Sequence, residues 1–485
     1  MAIAFGWGIG FGRLMQDASP ARAKKGVNAR MIGMWMQYGT RFLPFADVAS
    51  EDLPLSKLLR LSLIQVSVGI ALVLLVGTLN RVMIVELKVP ATLVGIMLSL
   101  PLLFAPFRAL IGHRSDTHQS ALGWRRVPFI YRGTMLQWGG LAIMPFALLV
   151  LGGAMQSGDA PVWIGRLAAG LAFLLLGAGI HITQTVGLAL ATDMAPEEQQ
   201  PNVVGLMYVM LLLGSIVAAL AFGWALQEFS PTRLVQVISS CAVATGVLNL
   251  IALWKQEARN PVPPDQRTQQ QPFREAWSAF IVQHKAVRRL LAIGFGTLAF
   301  SMADILLEPY GGEILGMNVG TTTYLSAILA GGSLIGFAYA SYVLSLGADP
   351  FRMAALGAVI GLPAFALVIL AAEGGETELF TLGVLLAGGG TGLFSHGTLT
   401  ATMRLAPRDQ IGMAMGAWGA VQATAQGVGA AVGGIIRDTV KYSGVGGTKA
   451  AANGYLMVYG VELVMLVVTL AVMVPLFRRD APAAA

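Results

Sequence analysis

The run LSLIQVSVGIALVLLVGTLNRVMIVEL at positions 61–87 decides the fold of this chain. A bilayer core about 30 Å thick needs about 20 mostly apolar residues per helical crossing. In lipid every backbone polar group must be paired within the protein, so an apolar run of this length becomes a helix. The first crossing is predicted near 61–84, and working outward from it the pattern recurs. Further crossings are predicted near 91–112, 127–152, 162–191, 203–226 and 234–254. After a polar linker they resume near 288–309, 321–346, 352–372, 379–403, 411–436 and 455–476. The expectation is an all-α membrane protein with twelve transmembrane helices in two bundles of six. Its parts are a cytoplasmic extension (1–60), a first bundle (61–254), a cytoplasmic linker (255–287), a second bundle (288–477) and a cytoplasmic tail (478–485).

Composition supports this reading. The chain is 55% hydrophobic and 12% charged with mean hydropathy +0.69, against about 25% charged for soluble domains. The 59 glycines suit close helix packing in membranes, and Gly429/Gly433 and Gly412/Gly416 are small-xxx-small pairs. Most of the 32 Lys and Arg fall on the side that holds the amino terminus, which makes that side, and both termini, cytoplasmic. Arg81, Lys88, Arg233, Arg437, Lys441 and Lys449 fall outside. The net charge of +7 is read as topology and contact with anionic membrane lipids. Without a basic soluble domain, a nucleic-acid partner is not expected. The single cysteine, Cys241, excludes a disulfide framework or a cysteine metal site within the chain. The alternating glycines 6–12 follow no strand and do not make a phosphate loop. No nucleophile triad or metal-cluster spacing suggests an enzyme.

Within the extension, residues 31–45 (MIGMWMQYGTRFLPF) fit a helix lying in the membrane interface. Trp35, Tyr38 and Phe42 either anchor that helix or dock a partner. The two halves repeat weakly: Ala195-Pro196-Glu197-Glu198-Gln199 and Ala406-Pro407-Arg408-Asp409-Gln410 are offset by 211. Parallel six-helix repeats are the signature of the major facilitator superfamily fold. Gly112, Asp116, Arg125 and Arg126 resemble its cytoplasmic gating motif. Here the second glycine, Gly123, sits seven residues after Asp116 rather than three, which argues against ordinary gating.

Intramembrane polar groups are costly and therefore point to function. Asp304 and Glu308 stand at i and i+4 in the seventh crossing, on one predicted helix face, before Pro309 and two glycines break the helix. They form a proton or cation site, or a rim ion pair with Arg81. His181 with Gln184 in the fourth crossing, and His396 in the tenth, are candidate axial ligands for a metal held in a ligand. The plainer alternative for each histidine is hydrogen-bonded packing.

Residues 61–87, 105–116 (APFRALIGHRSD), 122–128 (LGWRRVP), 254–259 (WKQEAR), 304–312 (DILLEPYGG) and 416–424 (GAWGAVQAT) resemble the PucC/LhaA family. The resemblance extends over residues 42–440. It implies an assembly factor for purple-bacterial light-harvesting antennae in the cytoplasmic or intracytoplasmic membrane. Such a protein binds or delivers bacteriochlorophyll and chaperones antenna polypeptides, with LH1 favoured by the long extension and LH2 the other client. On this reading His181, His396 and Gln184 bind pigment, whose Mg²⁺ accepts nitrogen or oxygen ligands; the protein itself holds no metal. Carotenoid or lipid are further candidate ligands, and the reaction centre or bacteriochlorophyll synthase further candidate partners. The competing reading is a proton-coupled carrier of a small molecule, with Asp304 or Glu308 as coupling carboxylate and Arg108 as gate. A pure scaffold without pigment is the third.

Overall fold

The computed structural model describes residues 55–103, 111, 115, 124–151, 161–195, 200–257, 281, 285–405, 411–443 and 450–477. In the first half they form α1 (Leu55–Leu72), α2 (Ala91–Leu103), α3 (Val127–Leu151), α4 (Val162–Met194), α5 (Gln200–Ala225) and α6 (Pro231–Leu253). In the second half they form α7 (Ala286–Asp304), α8 (Leu307–Glu313), α9 (Val319–Ser345), α10 (Pro350–Gly374), α11 (Thr377–Leu405), α12 (Ile411–Tyr442) and α13 (Ala450–Met473). Ten described helices are long and apolar enough to cross a membrane, α7 and α8 counting as one crossing. The other two predicted crossings are also helical. Of the second, the described helix is the shorter α2; the eleventh, α12, runs 32 residues, and its many glycines with Gln422 and Gln426 make it less apolar than those ten.

α1 does not stop at position 84. It continues to Glu86 with a widened, π-helical backbone over Val73–Leu79 and Val82–Glu86. Such segments are uncommon and concentrate at functional positions. Here the widening falls where α1 meets the second half: a Cβ on Gly77 would collide with the carboxylate of Glu308.

The halves meet along two seams built on glycine. Along one, α2 lies against α12, where Cβ atoms at Gly95 and Gly434 would press on the carbonyls of Ala430 and Ala91. Along the other, α5 lies against α9, with Gly320 on the Gly223 carbonyl. Gly429 and Gly433 face α7 instead, against Ser301 and Met302. In a membrane, where apolar burial does not drive helix association, such backbone contacts supply the packing.

Candidate functional site

The sequence predicts a helix break after Pro309, but the break falls one turn earlier, at Ile305–Leu306. Proline has no N–H and cannot bond the carbonyl four residues back. That carbonyl, on Ile305, instead accepts from Asn80 Nδ2 at 2.5 Å. Pro309 then sits in the first turn of α8, where a proline is tolerated. The break takes Asp304 and Glu308 off a common face. Glu308 is buried against α1 and α9 and accepts from Ser326 Oγ at 2.5 Å, with Arg81 in electrostatic reach. Asp304 is half-buried and lies in electrostatic reach of Glu462 on α13.

Arg81 is buried but makes its ion pair with Glu86, not with either acid of the seventh crossing. Its Nη2 donates to the Met317 carbonyl at 3.1 Å across the two halves. Gly312 gives the guanidinium room, since a Cβ there would lie 2.9 Å from Nη2.

Arg437, predicted in an outer loop, is instead 2% exposed within α12. Its guanidinium binds Glu313 of α8, Asp438 at 2.6 Å and the Tyr455 hydroxyl at 3.2 Å. Lys441 adds a second cation to Glu313 at 2.7 Å. Asp438 also accepts from the backbone N–H of Thr92 at 2.7 Å, so the cluster caps the start of α2 in the other half. The sequence signal for this cluster was its charge spacing at the end of an apolar run.

His396 lies on α11, half-buried, its ring centroid 4.0 Å from that of Phe337 on α9. Tyr208 of α5 stacks on Phe337 at 6.4 Å, which sets the histidine beside the seam between the halves. Its Nδ1 is buried without a hydrogen-bond partner. His181 and Gln184 lie on α4 in the other half, so the two histidines belong to different bundles. Beside them Gln137 Nε2 donates to Thr183 Oγ1 at 3.1 Å. A buried chain from Ser67 to Asn249 (2.7 Å) and Asn249 to Thr134 (3.0 Å) ties α1, α6 and α3. Sequence reading missed this chain because its members are uncharged.

Gly112, Asp116 and Arg108 lie outside the described residues, as do Trp35, Tyr38 and Phe42. The paired basic residues of the gating-like loop do bridge helices. Arg126 Nε binds Asp193 at the end of α4 at 2.9 Å, and its Nη1 donates to Ser115 at 2.7 Å. Arg125 reaches the same Asp193 at 3.5 Å. Glu257, after α6, accepts the backbone N–H groups of Arg125, Arg126 and Val127 at 2.8–2.9 Å. That carboxylate satisfies orphan donors at the start of α3 and complements the helix dipole. Glu257→Ala is expected to cost about 1 kcal/mol, as for loss of a helix cap. Hydrogen exchange at residues 125–127 checks it: unchanged protection there would refute the capping role.

Two halves of packed helices, glycine seams between them and Arg–Asp bridges at one end define a membrane protein of the major facilitator superfamily fold. The likeness is measurable against a bacterial homolog of the human lysosomal transporter Spinster, in an inward-facing conformation. The TM-score is 0.66 at 15% identity, covering 86% of this chain and 95% of that one. Residues 78–481 match the family described as PUCC protein, and the chain belongs to that family. It is 64% identical to Protein PucC of Rhodovulum sulfidophilum, over 83% of this chain and 89% of that protein. It is 58% identical to Protein PucC of Cereibacter sphaeroides, over 93% and 98% respectively.

Proposed function

We propose that this protein is an assembly factor for purple-bacterial light-harvesting antennae, binding or delivering bacteriochlorophyll and chaperoning antenna polypeptides as the ring is built. The observation that carries the reading is the family match over residues 78–481. The site chemistry agrees with it. A tetrapyrrole Mg²⁺ takes a nitrogen or oxygen axial ligand, and His396 Nδ1 is a buried nitrogen without a partner beside an aromatic ring. His396 is therefore the first candidate to hold pigment, with His181 and Gln184 a second position on α4. When bound, the pigment would supply its own light absorption and its metal, and His396, or His181 and Gln184, would supply the ligand. Carotenoid or lipid are further candidate ligands.

The client is LH1 or LH2. An alignment covering 93% of this chain has to include part of the 60-residue extension, so the extension does not set this chain apart from a relative named PucC. Antenna polypeptides are the expected partners, with the reaction centre or bacteriochlorophyll synthase as further ones, in the bacterial inner membrane with both termini cytoplasmic.

The test is an absorption spectrum of protein purified gently from a phototrophic host that lacks antenna polypeptides. A near-infrared bacteriochlorophyll band is expected, falling several-fold in His396→Leu. A colourless protein that still captures antenna subunits would leave the scaffold reading in front. The second reading, a proton-coupled carrier, draws on buried Glu308 and half-buried Asp304. It requires substrate uptake that a proton uncoupler abolishes.

A further inference from the structure

α13 carries a single charged residue, Glu462, near its middle. The side chain is 0% exposed; among the described residues no side chain hydrogen-bonds either carboxyl oxygen, and the backbone N–H of Ala303 is the one donor that reaches it. Tyr459, one turn earlier on the same helix, is also 0% exposed, and its hydroxyl lacks a partner. That hydroxyl lies in electrostatic reach of Glu462, which in turn is in reach of Asp304 at the end of α7. Buried polar groups are nearly always hydrogen-bonded, so a carboxyl and a phenol on one helix, neither with a side-chain partner, call for a shared proton.

The surrounding helices bring no cation to this place. α13 has no Lys or Arg, and the basic residues of α7, Arg288 and Arg289, lie at its opposite end. α10 carries charge only near its ends, at Arg352 and Glu373. Arg437 and Lys441 of α12 are committed to Glu313 and Asp438. α8 contributes the Tyr310 phenol, which donates to the Val368 carbonyl at 3.1 Å, and α13 a second phenol, Tyr455, bound to Glu313 and Arg437. Two ionised carboxylates without a counter-charge inside a membrane are prohibitively costly. Carboxyls that share a site resolve the conflict by keeping a proton.

We infer that Asp304 and Glu462, with the Tyr459 hydroxyl, form a proton-binding site in the second bundle that holds at least one exchangeable proton at neutral pH. A protonated Glu462 is the donor that the Tyr459 oxygen can accept from. Half-buried Asp304 is the end through which the proton enters and leaves, and fully buried Glu462 is its inner position. The site adjoins the Ile305–Leu306 break, so its occupancy bears on the joint between α7 and α8. The inference is independent of the antenna reading: it holds for an assembly factor and for a carrier alike.

Infrared difference spectroscopy of the full chain in lipid nanodiscs tests it at neutral pH. Wild type minus Asp304→Asn/Glu462→Gln is expected to show a carboxylic-acid C=O stretch that shifts down in D₂O. A difference made only of carboxylate bands would overturn the site. So would complete absence of a carboxylic-acid band from the wild-type spectrum, which needs no variant. An acid band that sodium, but not choline, converts to carboxylate would assign the site to a metal cation and overturn the proposal equally.

Discussion

Arg437→Ala is expected to destabilise this protein more than any other single charge removal described here. The guanidinium is 2% exposed and bonds Glu313, Asp438 and the Tyr455 hydroxyl, with the Tyr455 ring centroid 4.9 Å away. Removing one partner of a buried ion pair leaves the others uncompensated and costs about 3–5 kcal/mol. Lys441 still faces Glu313, but Asp438 loses its cation while it remains the acceptor for Thr92 N–H at the head of α2. The loss therefore reaches the seam between the halves. Arg437→Lys should recover only part of it, since an ammonium cannot reproduce the guanidinium fork. Denaturant or thermal unfolding in detergent measures the effect, with Arg233→Ala as control. Arg233 pairs with a largely exposed Glu228, and exposed pairs contribute little. Equal midpoints for the two variants would show that the Arg437 cluster is not what holds that end of α12 to α8 and α2.

The second large effect is expected where α9 crosses α11. Glycine backbones touch there: Gly332 and Gly336 lie on the carbonyls of Leu385 and Gly389, and Gly388 and Gly392 on those of Leu329 and Ser333. A single methyl at any of these four positions would overlap a backbone oxygen, which cannot rotate away as a side chain can. Gly388→Ala is expected to cost about 1–3 kcal/mol, the range for overpacking, and Gly388→Leu to prevent the two helices from packing. Gly331→Ala is the internal control, because nothing lies within 4 Å of the Cβ it would add. There the change should be neutral or slightly stabilising, since alanine is the better helix former. Melting of both alanine variants decides it. A Gly388→Ala protein as stable as Gly331→Ala would mean that the helices sit farther apart than described.

Both effects rest on features of different legibility. The glycine content and its small-xxx-small spacing announce close helix packing, but not which helix each pair faces. Gly429 and Gly433 turn to α7, while Gly434, one residue on, turns to α2. Rotation about the helix axis decides that, and it depends on every neighbour at once. Asp304 and Glu308 show the same limit. Their i, i+4 spacing implies a shared face only if the helix is continuous. The proline that interrupts it acts through the carbonyl four residues back, and the break lies between the two acids. Arg437 and Glu462 were open to discovery as charges in or at the end of apolar runs. Hydropathy placed Arg437 outside because it weighs a residue's type and not the Glu313 and Asp438 carboxylates that make its burial tolerable.

The sequence by itself determined the class of this protein. Long apolar segments, the lysine and arginine asymmetry and the weak repeat offset by 211 leave helical crossings in two halves, because lipid admits few other arrangements of a backbone. It also determined the family, through motifs that stand in the chain as contiguous strings. Only the tertiary structure decided the partnerships: Arg81 with Glu86 rather than with an acid of the seventh crossing, Arg437 with Glu313, and His396 with Phe337. Apart from Arg81 and Glu86, five residues apart, each pairing joins residues whose distance in the chain says nothing of their distance in space. In a medium that cannot solvate a charge, the neighbour that three-dimensional packing provides sets what a buried side chain can do.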